Sequence, residues 1–595
     1  MSRMQQIVAV IGLGLASQAS AQTVIFSGGF EPPPGGPATD QDAMRFLTQA
    51  TFGPTMPEFD HLNTIGINAW LDEQFARPFS GHRPYLDAIA ALPEDPQDPG
   101  ANNVGNDTRN EVFFERALHA PDQLRQRVAF SLSEILVVSD QGGGLGGEPF
   151  ALAYYYDLLG EHGFGNYREL LEQVTLSPVM GHYLSMFGNR KPDVANNIRP
   201  DENYAREIMQ LFSIGLTRLN QDGTEMDDPN QTGFQTIPTY NQETIRGFAH
   251  VFTGFTFTGC DVREFEYCSA WEHPERWFQP MTAPEGPWWD NIYRVWHAYP
   301  ENKQLLVYPG VALANGVLAG RPAPTALGSG VTAQQDLELA LDNVFNHPNV
   351  GPFIGKQLIQ RLVTSNPSPG YVSRVAAAFN NNGLGVRGDM KTVIRAILTD
   401  PEARGATTGA APRGKLREPL LRMTQLWRAF AATDPSNRYN DWYIWYPGQY
   451  IPQSPLHART VFNFFLPDYK PAGEIATGGW VAPEFQIQTD GYVTNFSNVM
   501  DWLVWNYAGN PSPWADADAT KINIEAERLL AGNATIDALI ERLNLLLMSG
   551  SMSTHMKSTL RTYLLTVPAG DENGARRVWE ALWMIMVSPE YVIEK

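Results

Sequence analysis

Apolar positions recur along most of this chain at three- and four-residue spacings, and one stretch shows the helical pattern in full. Between Pro200 and Gly215, at about 100° per residue, Tyr204, Ala205, Ile208, Met209, Leu211 and Phe212 form a wide apolar face. Asn203, Arg206, Glu207 and Gln210 fall together on the remaining strip. Pro200 suits the approach to a helix, and Asp201 and Glu202 suit the positive end of its dipole. Gly215 is the expected C-terminal stop. A second helix repeats this logic. Thr239-Tyr240-Asn241-Gln242 reads as a capping box. Ile245, Phe248, Ala249 and Phe252 then make the apolar face, and Glu243, Arg246, Gly247 and His250 share the polar strip. The two strips match, a small residue allows close approach, and the pattern predicts that they meet.

The same periodicity predicts helices from Asp42 to a turn at Ala50–Thr55, over Pro57–Phe75, and over Asn110–Ser139 with a break at Ala120-Pro121. Further helices are expected at about 149 to 160, 166 to 176 and 177 to 187, and again from Ala333 onward, including Asp389–Ile397, Lys415–Ala432 and Val578–Met586. Residues 254 to 330 break the pattern. There Phe255-Thr256-Phe257-Thr258 alternates like a strand and Gln304–Tyr308 reads as another. This stretch also holds Trp271, Trp277, Trp288, Trp289 and Trp296. A second aromatic cluster lies at Trp442, Tyr443, Trp445, Tyr446 and Tyr450. Gly142–Gly147 lacks the lysine and the preceding strand of a phosphate loop and reads as a flexible connection. No repeat of fixed period is visible.

The expected fold is therefore mainly α, a large multi-helix domain with an irregular, partly β insertion. Residues 1–21 read as an export signal, with Arg3 as the positive start, Ile7–Ala16 as a short apolar run and Ala19-Ser20-Ala21 as the cleavage site. Residues 22–40 read as a Gly/Pro-rich linker, 41–410 as the main helical domain with its insertion at 255–330, and 411–595 as a C-terminal helical subdomain on the same core. The chain is expected to be periplasmic or secreted, with no transmembrane segment after signal cleavage, because no later stretch reaches the ~18 apolar residues a span needs.

Charge narrows the partners. A net charge of −21 argues against nucleic acid and anionic membrane surfaces, which require basic patches. Only nine of the 43 basic residues are lysines, so forked arginine pairs should be common. Cys260 and Cys268, the only two cysteines, have seven residues between them and read as a disulfide closing a small loop. The loop closure contributes ~2–3 kcal/mol on a chain-entropy view.

The candidate chemistry sits on the paired strips. Glu207 or His250 suits a general base, and Arg206 or Arg246 suits an anion or developing charge. Asn203, Gln210, Glu243, Arg246 and His182 are the candidate substrate-binding residues. A divalent metal held by His162, His182, His250 and Glu207 would need ligands from separate helices, since no HExxH spacing exists, and no metal site is assigned. The competing reading is structural: Arg206 with Glu243, or Arg246 with Glu207, would pin the helices together as a buried ion network. Asn220-x-Asp222-Gly223 lacks the closing glutamate of an EF-hand and reads as a polar turn. No GxSxG, GxGxxG or Walker motif is present in a suitable context.

Several stretches together resemble the bacterial proteins catalogued as domain of unknown function 1800. They are Phe46-Leu47-Thr48-Gln49-Ala50-Thr51-Phe52-Gly53-Pro54-Thr55, Trp70-Leu71-Asp72-Glu73-Gln74, Glu202-Asn203-Tyr204-Ala205-Arg206-Glu207 through Gly215, and Tyr240–Gly254. His347-Pro348-Asn349-Val350 and Ser588-Pro589-Glu590-Tyr591 extend the likeness to nearly the whole mature chain. The resemblance implies an exported, largely helical protein and implies no activity. Many members carry a tryptophan and paired histidines after the helix near residue 127, where this chain reads Phe130-Ser131-Leu132-Ser133-Glu134. A metal bound through those histidines could not be held the same way here. The resulting expectation is an exported protein whose polar helix-pair cleft binds, and hydrolyses or modifies, an extracytoplasmic polymer or glycan. The alternative is a non-catalytic binding or assembly protein with a structural Arg/Glu network. If the cysteines are joined as read, alkylation without reductant leaves the intact mass unchanged; two labelled thiols would contradict the pairing.

Overall fold

The computed structural model describes residues 36–94, 100, 102–326, 332–405, 414–439, 441, 450–513 and 516–594. The export signal, the linker up to residue 35, residues 406–413 and the rings of Trp442, Tyr443, Trp445 and Tyr446 lie outside the described residues. The fold is mainly α, and the described strands form only three two-stranded sheets. No helix among the described residues is long and apolar enough to cross a membrane. The chain divides into two compact units.

One unit comprises the chain up to Ala76, Leu416–Asp441 and Val493–Lys595. Its first helix, Asp40–Ala50, starts where Thr39 accepts from the Asp42 amide. The Phe46–Thr55 run has a clear physical role. Phe46 meets Trp70 edge-on with centroids 5.2 Å apart. Gly53, at φ +136°, lies so close to the helix Pro419–Ala429 that a methyl there would sit 2.6 Å from the Gln425 Cα. The Gly53 carbonyl accepts from Arg428 Nε at 2.7 Å, and Arg428 also reaches Glu58 at 2.6 Å. The expected helix Pro57–Phe75 is two helices, Met56–Ile65 and Ile67–Ala76, because Gly66 adopts φ +83° and ends the first.

The other unit comprises Arg77–Lys415 and Trp442–Tyr492 and holds every candidate site residue. Helices Asn106–His119, Gln123–Ser133, Pro149–His162 and Tyr167–Leu176 precede a short helix α1 (Pro178–Tyr183). Two amphipathic helices follow, α2 (Asn203–Gln210) and α3 (Gln242–Val251). The insertion contributes strands β1 (Glu285–Pro287) and β2 (Tyr293–Val295), paired antiparallel, and β3 (Lys303–Gln304) and β4 (Val317–Leu318), also antiparallel. Helix α4 (Ala333–Phe345) begins at a Thr332/Gln335 capping box. Helices Val350–Leu362, Pro369–Asn380 and Met390–Thr399 follow it.

Helix α2 is shorter than its pattern. The Asp201 carboxylate accepts from the Asn203 amide at 2.8 Å at its start. After Gln210 the chain winds into a turn in which the Ile214 and Gly215 amides both donate to the Met209 carbonyl at 3.0 Å. Gly215 supplies the left-handed φ of +73° that this closure needs. From Leu216 to Pro238 the chain makes a polar excursion that leaves and returns at one point. The Thr239 hydroxyl donates to the Gly215 carbonyl at 2.5 Å, and the Thr239 amide donates to the Leu216 carbonyl at 3.0 Å. Thr239 is thereby committed to the loop. The cap of α3 is Asn241, whose side chain accepts from the Thr244 amide at 3.0 Å. Along the excursion, the Asp222 side chain accepts from the Thr224 amide at 3.0 Å and forms a polar turn.

The expected strand over Gln304–Tyr308 is paired only at its start. The Leu305 amide still donates to the Gly316 carbonyl, and at Leu306 a side chain takes over: the Leu306 amide donates to Asn343 Oδ1 at 2.9 Å, and Asn343 Nδ2 donates to the Leu306 carbonyl at 3.1 Å. Phe255–Thr258 makes a single bridge, Thr256 to Thr282, and Phe255, Thr256 and Phe257 are all buried. Within Gly142–Gly147, Leu145 is buried and the first two glycines lie against α1. Gly143, at φ +64°, lies where a methyl would sit 2.9 Å from the His182 carbonyl oxygen and from the Tyr183 Cα. Cys260 and Cys268 are joined as a disulfide with Cα atoms 6.2 Å apart.

Among the described glycines, Gly247 in α3 makes the closest approach to another backbone segment. A methyl there would overlap the carbonyl oxygen of Gln304 in β3. The small residue in the polar strip thus admits the insertion strand. In an exposed helix, Gly→Ala stabilises by ~1 kcal/mol. Here the clash dominates, and Gly247→Ala is expected to destabilise by about 3 kcal/mol in urea unfolding. Gly147→Ala, with nothing within 4 Å, is the control and should change stability by no more than about 0.5 kcal/mol. A Gly247→Ala protein as stable as the wild type would contradict the assigned packing.

Candidate functional site

Helix α2 places its polar strip at the edge of the core. Glu207 sits where the strip borders the apolar face, next to buried Ile208, and is only 6% exposed. Its Oε2 is buried and has no hydrogen-bond partner among the described residues. Burial raises its carboxyl above the ordinary glutamate value, and the charge of Arg206 opposes that only in part. Tyr183, at the end of α1, and Tyr240, just before α3, flank this carboxyl. Burial and the Glu207 charge push both phenols up to about 12. Gly142 lies against Tyr183, where a methyl would sit 3.1 Å from the Tyr183 ring.

Arg206 turns along its own helix and bonds Glu202 at 3.3 Å. Glu202 also accepts from Gln242 Nε2 at 2.9 and 2.8 Å, so the two strips meet at their N-terminal ends. They meet again where the Tyr240 hydroxyl donates to Gln210 Oε1 at 3.4 Å. Asn203, Glu243 and Arg246 are exposed. Neither Arg206–Glu243 nor Arg246–Glu207 is among the ion pairs of the described residues.

His250 faces a different set of charges. Its Nδ1 is buried without a partner among the described residues. Burial lowers its basicity; Glu301 opposes this, and Lys303 and His297 reinforce it. These groups belong to a cluster around Asp336, which is fully buried in the first turn of α4. His297 Nε2 and Lys303 Nζ each lie 3.0 Å from Asp336 Oδ2, and Arg321 bonds the other carboxylate oxygen. The second ring nitrogen of His297 lies 2.9 Å from the Thr253 carbonyl. Burial and the charges of Lys303 and Arg321 push the His297 imidazole down to about 3. Both ring nitrogens nevertheless face oxygen acceptors, so the proton between Nε2 and Asp336 belongs to the pair and not to the ring alone. Burial and Arg321 push Lys303 down to about 8, against the pull of Glu301. Glu301 Oε2 is buried without a hydrogen-bond partner among the described residues.

His182, on α1, is part of neither cluster. Its ring stacks on Phe187 at 4.1 Å between centroids and lies 4.9 Å from Trp277 and 5.5 Å from Phe257. Burial alone lowers it to about 4. Among the described residues no group of three or more His, Cys, Asp or Glu side chains could hold a metal ion.

A further pair lies beyond the reach of sequence periodicity. His457 Nδ1 is 2.6 Å from Asp140 Oδ1, and Arg109 NH2 donates to Asp140 Oδ2 at 2.7 Å. Burial favours the neutral acid, but hydrogen bonding by His457 and the charge of Arg109 outweigh it and hold Asp140 below the usual carboxylate range. Glu301, Lys303 and His297 likewise lie in a segment without periodicity, and Asp336, on a helix whose period is plain, meets them from a distance in the chain. Tyr240 lay within reach of sequence reasoning, as the aromatic hydroxyl beside the α3 cap.

The structure thus groups Glu207, Arg206, Gln210 and Glu202 around α2, sends His250 to the Asp336 cluster, and leaves His182 among aromatic rings. The family model described as a protein of unknown function, DUF1800, matches residues 45–593. No curated protein and no solved structure matches the chain. A family match running from the first helix to the last strand, through both polar helices, makes this chain a member of the DUF1800 family.

Proposed function

We infer that this chain is an exported protein, periplasmic or secreted, in which Glu207 serves as the proton donor for hydrolysis of an extracytoplasmic glycan. One observation carries the reading: a buried glutamate with a raised pKa whose Oε2 has no hydrogen-bond partner among the described residues. A carboxyl whose affinity for its proton is raised by burial is better suited than an ordinary glutamate to carry a proton to a leaving oxygen. As the C–O bond of the glycan breaks, Glu207 protonates the departing oxygen; water adds to the carbon left behind, and its spare proton restores the acid. Arg206, Gln210 and Asn203 supply polar contacts to hydroxyls beside it. Export is supported by Arg3, the apolar run Ile7–Ala16, the small residues Ala19-Ser20-Ala21 and the Cys260–Cys268 disulfide.

The alternative reading, an ionic clasp between α2 and α3, calls for Glu207 to be paired. Glu207→Gln separates the two. For a proton donor, the variant folds with stability within about 1 kcal/mol of wild type and loses reducing-end release from cell-envelope polysaccharides by ~10²–10⁴-fold. Wild-type rates in Glu207→Gln, or a collapse of stability, would remove the catalytic reading.

The raised carboxyl also fixes a pH dependence. The unfolded chain titrates Glu207 near its ordinary 4.5, and the folded chain at a higher pH. Between the two the folded state binds more protons, so its stability falls as pH rises through that window. Glu207→Gln does not titrate. Its stability relative to wild type is therefore expected to increase in unfolding experiments run from about pH 4 to about pH 8. A difference independent of pH would contradict the assigned environment.

A further inference from the structure

The insertion carries a surface that the chemistry around Glu207 does not use. The turn between β1 and β2 presents Trp288, Trp289 and Ile292, with Asn291 at φ +61°. Trp289 is 73% exposed, Trp271 in the neighbouring segment 92%, and Tyr267 in the disulfide loop 69%. Rings of this size are ordinarily buried, and a group left in water marks an interaction surface.

The support beneath these rings is fixed. The disulfide closes the loop that carries Arg263, Phe265 and Tyr267. Phe265 stacks on Trp296 with centroids 4.7 Å apart and planes within 14°. Trp296 Nε1 donates to the Val262 carbonyl at 2.7 Å. The Arg263 guanidinium lies over Trp289, 4.4 Å from its centroid, and Asp261 holds that guanidinium through two hydrogen bonds of 2.6 and 2.7 Å. A clamped cation thus backs the Trp289 ring, which is otherwise open to solvent.

Charge decides the class of partner. Each arginine stacked on a tryptophan of this surface has its own carboxylate: Arg263 has Asp261, Arg294 over Trp288 has Asp290 at 2.9 Å, and Arg190 over Trp296 has Glu266 at 2.8 Å. The surface offers planar hydrogen-bonding groups beside open rings, and these stacked cations are all compensated. An anionic polymer finds no spare positive charge among them to neutralise. An apolar protein face would have to desolvate three ion pairs at the rim. A sugar chain without charge fits both parts, laying its C–H face on the rings and its hydroxyls on the rim.

We propose that the β1–β2 turn and the disulfide loop form a stacking platform for an uncharged polysaccharide, with Trp289 and Tyr267, which both adjoin Arg263, as its contact rings. The proposal rests on the glycan reading given above. The test is retardation of the full-length protein in native gels containing hydroxyethylcellulose, xylan or starch, with alginate as the charged comparison. Wild type should be retarded by at least one neutral polymer, with little effect of added salt. Trp289→Ala and Tyr267→Ala should each bind about tenfold more weakly while keeping the wild-type melting temperature, and Trp289→Phe should retain most of the retardation. Three results would overturn the platform: no retardation of wild type by any neutral polymer, unchanged retardation in both alanine variants, or retardation confined to alginate and abolished by salt. Retardation requires no turnover. It can therefore succeed when Glu207→Gln cleaves like wild type, and fail when Glu207 is the acid, so the two readings fall separately.

Discussion

Asp336 is fully buried, and the side chains of His297, Lys303 and Arg321 converge on it from the insertion. A buried carboxylate is tolerable only with partners, and removing one partner from such a cluster typically costs about 3–5 kcal/mol. The irregular segment therefore cannot drift from the helix that carries Asp336. Three consequences follow. The insertion strand beyond Lys303 is pressed onto Gly247. Its backbone is completed by Asn343 further along α4. The basicity of His250 is lowered first by burial and then adjusted by Glu301, Lys303 and His297 of the insertion.

That arrangement explains why two helices with the same polar pattern end in different surroundings. In α2 the strip reads Asn203, Arg206, Glu207, Gln210, and in α3 it reads Glu243, Arg246, Gly247, His250. Glycine stands in α3 where glutamate stands in α2. The glycine accepts a strand, and the glutamate keeps its carboxyl without a hydrogen-bond partner on Oε2 among the described residues. The polar links between the two helices run through Glu202 with Gln242 and Gln210 with Tyr240. The chemistry on the two helices is accordingly divided, with an acid beside two tyrosines on one and an imidazole beside a buried ion cluster on the other.

The helices were legible in the sequence because a helix is a local object whose period is written in adjacent residues. Asn203 to Gln210 and Gln242 to Val251 lie inside the expected spans, and Gly215 closes the first as its residue type demands. What the pattern missed is non-local. A one-residue break at Gly66 leaves the apolar period intact on both sides, so one helix was expected where there are two. Asn343 standing in for a strand partner, Thr239 taken by the loop in place of the helix cap, and Asp140 meeting His457 all depend on segments distant in the chain. The burial of Glu207 was half visible, since its angular position borders the apolar face. The absence of a cross-helix ion pair was not visible, because which carboxylate an arginine chooses is a matter of three-dimensional reach.

The tie between Thr239 and the end of α2 has a consequence for how this chain can vary. Both ends of the Leu216–Pro238 excursion are fastened at Gly215 and Leu216, and its first residues are held by Asn349 and Ser373, which leaves the exposed stretch 224–235 outside these contacts. Lengthening a loop whose ends are already fixed is nearly free, about 0.6 kcal/mol for each doubling. The exposed stretch 224–235 is thus a place where the protein can accept inserted sequence, a reporter or a whole added domain, close in the chain to its most distinctive helix and without disturbing it.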